Sequence, residues 1–180
     1  MFSQVTHESF NMMLEEERRK PEVFTTEKAA KVLGLPVWRI VRFAQVKKYG
    51  ITPAYGEASG PGSRRLYDLE NVCEMALAFW LVQAGVRMEV IGRVIKQVRR
   101  TGGLSYLLSQ DQSKTGTHYL GVIRTPRGKI VGQEAISIQS WEQLQSIFQQ
   151  NRDSSLVVIP IGLRLRWLAE RLRQLEQEGN

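Results

Sequence analysis

The chain has 180 residues, 42 % of them hydrophobic, so it can bury a core, and wholesale disorder is excluded. A net charge of +7 and a pI near 9.8 favour a polyanionic partner. A single cysteine, Cys73, excludes an intrachain disulfide and any multi-thiolate metal site. No run approaches the ~18 apolar residues of a membrane helix.

Residues 1–20 hold 3 Lys/Arg and 4 Asp/Glu, residues 21–103 hold 13 and 7, and residues 104–180 hold 9 and 7. The balances are −1, +6 and +2, so the positive charge is concentrated in the middle segment. These three segments are the expected domain organisation: a leader over 1–20, a basic domain over 21–103 and a C-terminal domain over 104–180. The leader has Glu15, Glu16 and Glu17 and no long apolar run, which argues against a signal peptide. A cytoplasmic, nucleoid-associated protein is expected.

Pro21 ends the leader, and Thr25 is a good N-cap for a helix over 26–33. Gly34 supplies the positive φ of a tight turn, and Pro36 suits the first turn of a second helix over 36–47. Ala29, Ala30, Leu33, Leu35, Ile40 and Phe43 are spaced to make a small shared core between two crossing helices. Residues 50–66 hold too many Gly and Pro for a helix and end in the cationic pair Arg64 and Arg65. Asp68 caps a third helix over 69–84, with Leu69, Val72, Ala76 and Phe79 recurring at helical spacing. Gly85 breaks it, and a fourth helix over 87–100 buries Ile91, Val94, Ile95 and Val98. Gly102 and Gly103 mark a linker.

Beyond the linker, residues 117–124 and 129–138 are strand-like runs around a Thr-Pro-Arg-Gly turn at 125–128. Ser140 and Gln143 make a capping box before a helix burying Trp141, Leu144, Ile147 and Phe148. A strand over 156–161 and a last helix from about Gly162 complete a β-β-α-β-α order. Ile161, Leu165, Leu168, Leu172 and Leu175 follow a heptad spacing, a candidate dimerisation seam of about two heptads that needs support from the β unit. The expected fold class is mainly α with small β content.

Three stretches, FTTEKAAKVLGLPVWRIVRF, SRRLYDLENV and AGVRMEVIGRVI, together resemble the MerR-type winged helix-turn-helix transcriptional regulators over about residues 23–100. The resemblance implies that the second helix enters the major groove. Arg65 and Tyr67 then match the wing's phosphate-clamping arginine and tyrosine. Residues 68–72 and 85–91 match the helix start and the glycine-led segment that follow. The chain departs from the family in three ways. The arginine–aromatic register of the second helix is displaced by one position, the wing loop is longer, and residues 102–103 begin an α+β segment where the family has a long coiled coil.

The candidate DNA-binding residues are Trp38, Arg39, Arg42, Lys47 and Lys48 on and after the second helix, with Arg64, Arg65 and Tyr67 on the wing. Tyr67 has two equal readings, a phosphate contact or closure of the local core. Cys73 reads as inert packing. His7 and His118 have no ligand cluster, so no metal or other cofactor is expected. With no phosphate loop and no nucleophile–base grouping, the chain is not expected to be an enzyme.

The function expected is a dimeric, sequence-specific regulator on a pseudo-palindromic double-stranded DNA site, with a protein or small-molecule effector possible at the C-terminal domain and no membrane partner. The alternatives are an excisionase-like architectural factor and an antitoxin-like protein-interaction module.

Overall fold

The computed structural model describes residues 22–55, 65–100, 102–104, 119–124, 136–138, 140–150 and 155–178. The leader, the wing-loop positions 56–64 (Arg64 among them), the turn at 125–128 and both histidines lie outside the described residues. Among the described residues the chain is mainly helical, with two small antiparallel sheets.

The first sheet is a two-stranded ribbon. Strand β1 (Phe24–Thr25) pairs with β2 (Leu66–Tyr67), Phe24 opposite Tyr67. Tyr55 and Leu66 exchange backbone hydrogen bonds at 3.2 and 3.3 Å, an isolated bridge beside the ribbon.

Helix α1 (Thr26–Leu33) starts where expected, the Thr25 hydroxyl accepting from the Lys28 amide at 3.2 Å. Gly34 ends it at φ 62°, a left-handed conformation that costs a residue with a Cβ appreciably more. Helix α2 (Val37–Gln45) is shorter than the expected 36–47. Pro36 stands at its cap in extended conformation, and Val46 leaves helical geometry at ψ 97°. A single 3₁₀ turn, Lys47–Tyr49, follows and brings Tyr49 inward. There the Tyr49 ring meets Phe43 edge to face, with centroids 5.1 Å apart.

Helix α3 (Leu69–Gln83) opens on Asp68, whose carboxylate accepts from the Asn71 amide at 2.7 Å. The expected single apolar stripe understates it. Ten of its fifteen residues are buried, because neighbours cover it on nearly every side. Cys73 is one of them, and burial pushes its thiol well above the ordinary range.

Helix α4 (Met88–Arg100) buries Val90, Ile91, Val94, Ile95 and Val98. Its last turn carries Arg99, whose guanidinium takes the Glu74 carboxylate in a two-pronged pair, Nε to Oε1 and Nη2 to Oε2, the latter at 2.6 Å. Glu74 is only 1 % exposed. The expected linker at Gly102 and Gly103 is instead docked. Leu104 is buried, its amide donates to Glu70 Oε1 at 2.8 Å, and a Cβ at Gly103 would come within 2.8 Å of the Glu70 carboxylate.

The second sheet has the order β4-β3-β5, with β3 (Tyr119–Arg124) central and antiparallel to β4 (Ile136–Ile138) and β5 (Ser155–Ile159). Helix α5 (Trp141–Gln150) lies between β4 and β5, the Ser140 hydroxyl accepting from the Gln143 amide at 3.2 Å. Ile147 is buried as expected, but Phe148 is exposed, one position off the helix's inner face. Helix α6 (Ile161–Glu178) begins at Ile161, which was expected to end the strand.

One hydrophobic core continues through the sequence boundary at 103/104. Leu120, Val122, Ile159 and Ile161 join the side chains of α3 and α4 in it, so the two segments do not have separate interiors. Leu165 and Leu168 are buried in the same core, and Leu172 and Leu175 pack against it half-buried. The heptad leucines are therefore turned inward, covering the chain's own core where a dimer seam was expected. Helix α6 lies against α1, and Lys31 pairs with Glu178 at 3.0 Å across that contact.

Burial raises the Glu74 carboxyl above its ordinary range, and the Arg99 guanidinium opposes that rise. With the folded value above the unfolded one, the native state holds the proton more tightly. Stability is then lost as pH rises from the unfolded value through the folded one. Arg99→Ala removes the opposing pull and leaves a buried unpaired carboxylate. It is expected to cost about 3 kcal/mol near pH 7, the low end of the usual range because Arg99 is partly exposed. The stability gap to wild type should narrow as pH is lowered in urea titrations, because the buried carboxyl takes up a proton.

Candidate nucleic-acid interface

The helical period sorts the side chains of α2 onto two faces. Ile40 and Phe43 point into the core. Trp38, Arg42 and Gln45, at i, i+4 and i+7, share the opposite stripe, and all three are exposed, Trp38 at 56 %. Gln45 was not among the residues expected from the sequence, because it carries no charge, yet its i+7 spacing from Trp38 places it on the same stripe. An amide with donors and an acceptor beside an arginine is a suitable set for reading base edges.

Arg39 stands differently from Arg42. It is half-buried, with its guanidinium 5.2 Å from the Trp38 ring centroid and 5.4 Å from that of Phe79 on α3. Held over two rings, Arg39 fixes the root of Trp38 and is less free to reach outward. Arg42 and Arg39 both act on buried Tyr49. Burial raises the Tyr49 phenol, and the two cations partly offset this.

Lys47 is exposed at the end of the helix. Lys48 is exposed too, but its ammonium is 2.7 Å from Glu89 Oε1 on α4. That hydrogen bond raises the lysine and lowers the glutamate from their ordinary values. The backbone beneath is more tightly held than the ion pair. A Cβ built at Gly92 would lie 2.0 Å from the Lys48 carbonyl oxygen, so only glycine lets α4 approach the 3₁₀ turn this closely.

On the ribbon, Arg65 is half-buried at the start of β2, and Arg64 lies outside the described residues. Tyr67 is 0 % exposed and its ring belongs to the core. Its hydroxyl has no partner at hydrogen-bonding geometry among the described residues. Burial raises this phenol, the Thr26 side chain and Arg65 pulling it back. Asn71 at the base of α3 was also missed. Its carboxamide oxygen accepts from the Ala54 amide at 2.8 Å and ties the chain at Ala54 to the start of α3.

The arrangement therefore gathers Trp38, Arg42, Gln45 and Lys47 on one exposed edge and turns Tyr67, Leu165 and Leu168 inward. Among the described residues, no group of three His, Cys, Asp or Glu side chains could hold a metal ion. No helix is long and apolar enough to cross a membrane among the described residues. Compared with known protein families and with curated proteins, the chain matches none.

Two variants check these placements. Gly92→Ala is expected to cost about 1–3 kcal/mol in chemical denaturation, because the added methyl meets backbone on α4's tightest face. Tyr67→Phe is expected to change stability by less than about 1 kcal/mol, since the hydroxyl it removes has no well-placed partner. A loss of several kcal/mol in the same assay would mean the hydroxyl is firmly bonded.

Proposed function

We propose that the chain is a sequence-specific, double-stranded-DNA-binding regulator of MerR-like winged helix-turn-helix design. The observation that carries the reading is the outer stripe of α2. It is formed by Trp38, Arg42 and Gln45, opposite Ile40 and Phe43 in the core, with Lys47 at its end. A helix about 10–12 Å across with side chains fits the major groove. In this reading α1 braces α2 from behind, and the ribbon of β1 and β2 with its long loop forms the wing. The net +6 of residues 21–103 supports it.

Within the stripe the roles divide by reach and chemistry. Arg42 and Gln45 address base edges, Lys47 the neighbouring phosphates, and Trp38 offers an apolar face to thymine methyls. Arg64 and Arg65 serve as wing cations. Lys48, held by Glu89, contributes through the position of the turn more than through its charge.

Two protomers on a pseudo-palindrome remain the proposed assembly, but the contact between them is not the leucine seam, which is taken up in the core. The C-terminal sheet and α6 complete the fold around α3 and α4 and leave room for an effector role.

Fluorescence anisotropy on duplex DNA tests the assignment. Arg42→Ala is expected to lower affinity for a preferred site by about 1–3 kcal/mol and to relax preference at one base pair. The pair Arg64→Ala, Arg65→Ala should weaken binding to every sequence. It should also reduce the slope of log affinity against log salt by about 1 to 2. An unchanged slope in the double variant would remove the wing clamp. Unchanged affinity and preference in Arg42→Ala would remove the α2 stripe.

A further inference from the structure

A second surface is left over by the DNA reading. A groove of about 370 Å³ runs between α1, α3 and α6, with Leu33, Phe79 and Trp80 along its floor and Leu163, Arg164 and Trp167 along the α6 rim. Phe79 also lines the cleft of about 290 Å³ between α2 and α3, so the two depressions meet at its ring.

Three features of the groove define what it takes. Its rim is apolar yet wet: Leu163 is 51 % exposed and Trp167 47 %, one helical turn apart on α6. A small molecule on the floor would leave that rim in water, whereas a partner surface would cover it. Its charge has one sign. Arg164 is exposed on the rim with its guanidinium 5.3 Å from the Trp80 ring centroid, and in the adjoining cleft Arg39 stands 5.4 Å from that of Phe79. No Asp or Glu lines either depression among the described residues. Its floor is aromatic and aliphatic, unlike the polar surfaces that take phosphate backbones. Tryptophan and arginine around a well-shaped apolar depression are also the residue types that carry binding energy between proteins.

We propose that this groove docks an acidic amphipathic helix of a partner protein. Apolar side chains at i, i+3 or i+4 spacing would rest on Leu163, Trp167 and Phe79, with a carboxylate on Arg164. The groove between α1, α3 and α6 shares no lining residue with the outer stripe of α2, and its reading does not depend on DNA recognition.

The test is to pan a random display library of peptides of about 16 residues, roughly four helical turns, against the full chain. Selected peptides are then titrated by anisotropy. The expected result is enrichment of peptides rich in Asp and Glu with aromatic or aliphatic residues at helical spacing. Their affinity should fall at least about tenfold for Trp167→Ala and for Arg164→Glu, with affinity for DNA changed by less than about twofold in Trp167→Ala. Both substitutions are at exposed positions, and circular dichroism verifies the fold. Absence of an acidic amphipathic motif, or a motif insensitive to both substitutions, overturns the proposal. So does sedimentation showing that the wild-type chain is a dimer and Trp167→Ala a monomer, since a second copy then fills the groove.

Discussion

The approach of Gly92 to the Lys48 carbonyl is the constraint on which the exposed edge of the molecule depends. Helix α4 comes close enough to the 3₁₀ turn that a Cβ would overlap backbone. The turn is thereby fixed, Tyr49 is buried against Phe43, and the C-terminal end of α2 is held at a set angle. Trp38, Arg42 and Gln45 face outward because Ile40 and Phe43 are committed inward. The Lys48–Glu89 pair lies over this contact, exposed to solvent and secondary to it.

Behind the edge, α3 is the hub. Its buried length packs on α4 and shares one core with the second sheet and α6. Its polar residues tie down what surrounds it. Asp68 caps its first turn, Asn71 holds the loop at Ala54, Glu70 holds the turn at Leu104, and Glu74 pairs with Arg99. A buried charge pair adds little net stability but penalises any arrangement that separates its members. Placing these groups along one helix couples the loop, the end of α4 and the chain's passage into the second sheet.

Local features were legible in the sequence wherever one residue or one period decided them. Thr25 and Asp68 as caps, Gly34 and Gly85 as stops, the inner face of α4 and the β-β-α-β-α order all follow from nearest-neighbour chemistry. What depended on a distant partner was not legible. A heptad of leucines looks the same whether it faces a second protomer or its own core, and only the fold shows that Leu165 and Leu168 turn inward. Two adjacent glycines look like a linker until Glu70 is seen to hold the turn. Phe148 fits an apolar period but sits one position beyond the buried face. In the candidate interface, Arg42 was recognisable as an outward cation, whereas the stacking of Arg39 on Phe79 needed α3 in place.

The central claim is that the outer stripe of α2 recognises particular base pairs in double-stranded DNA. It is tested most directly by selecting bound duplexes from a random pool with the full chain, in parallel with Arg42→Ala. The account predicts that the wild-type chain recovers a defined motif and that Arg42→Ala loses preference at one position within it. Recovery of no motif by the wild-type chain, or of the identical motif by both proteins, would contradict it.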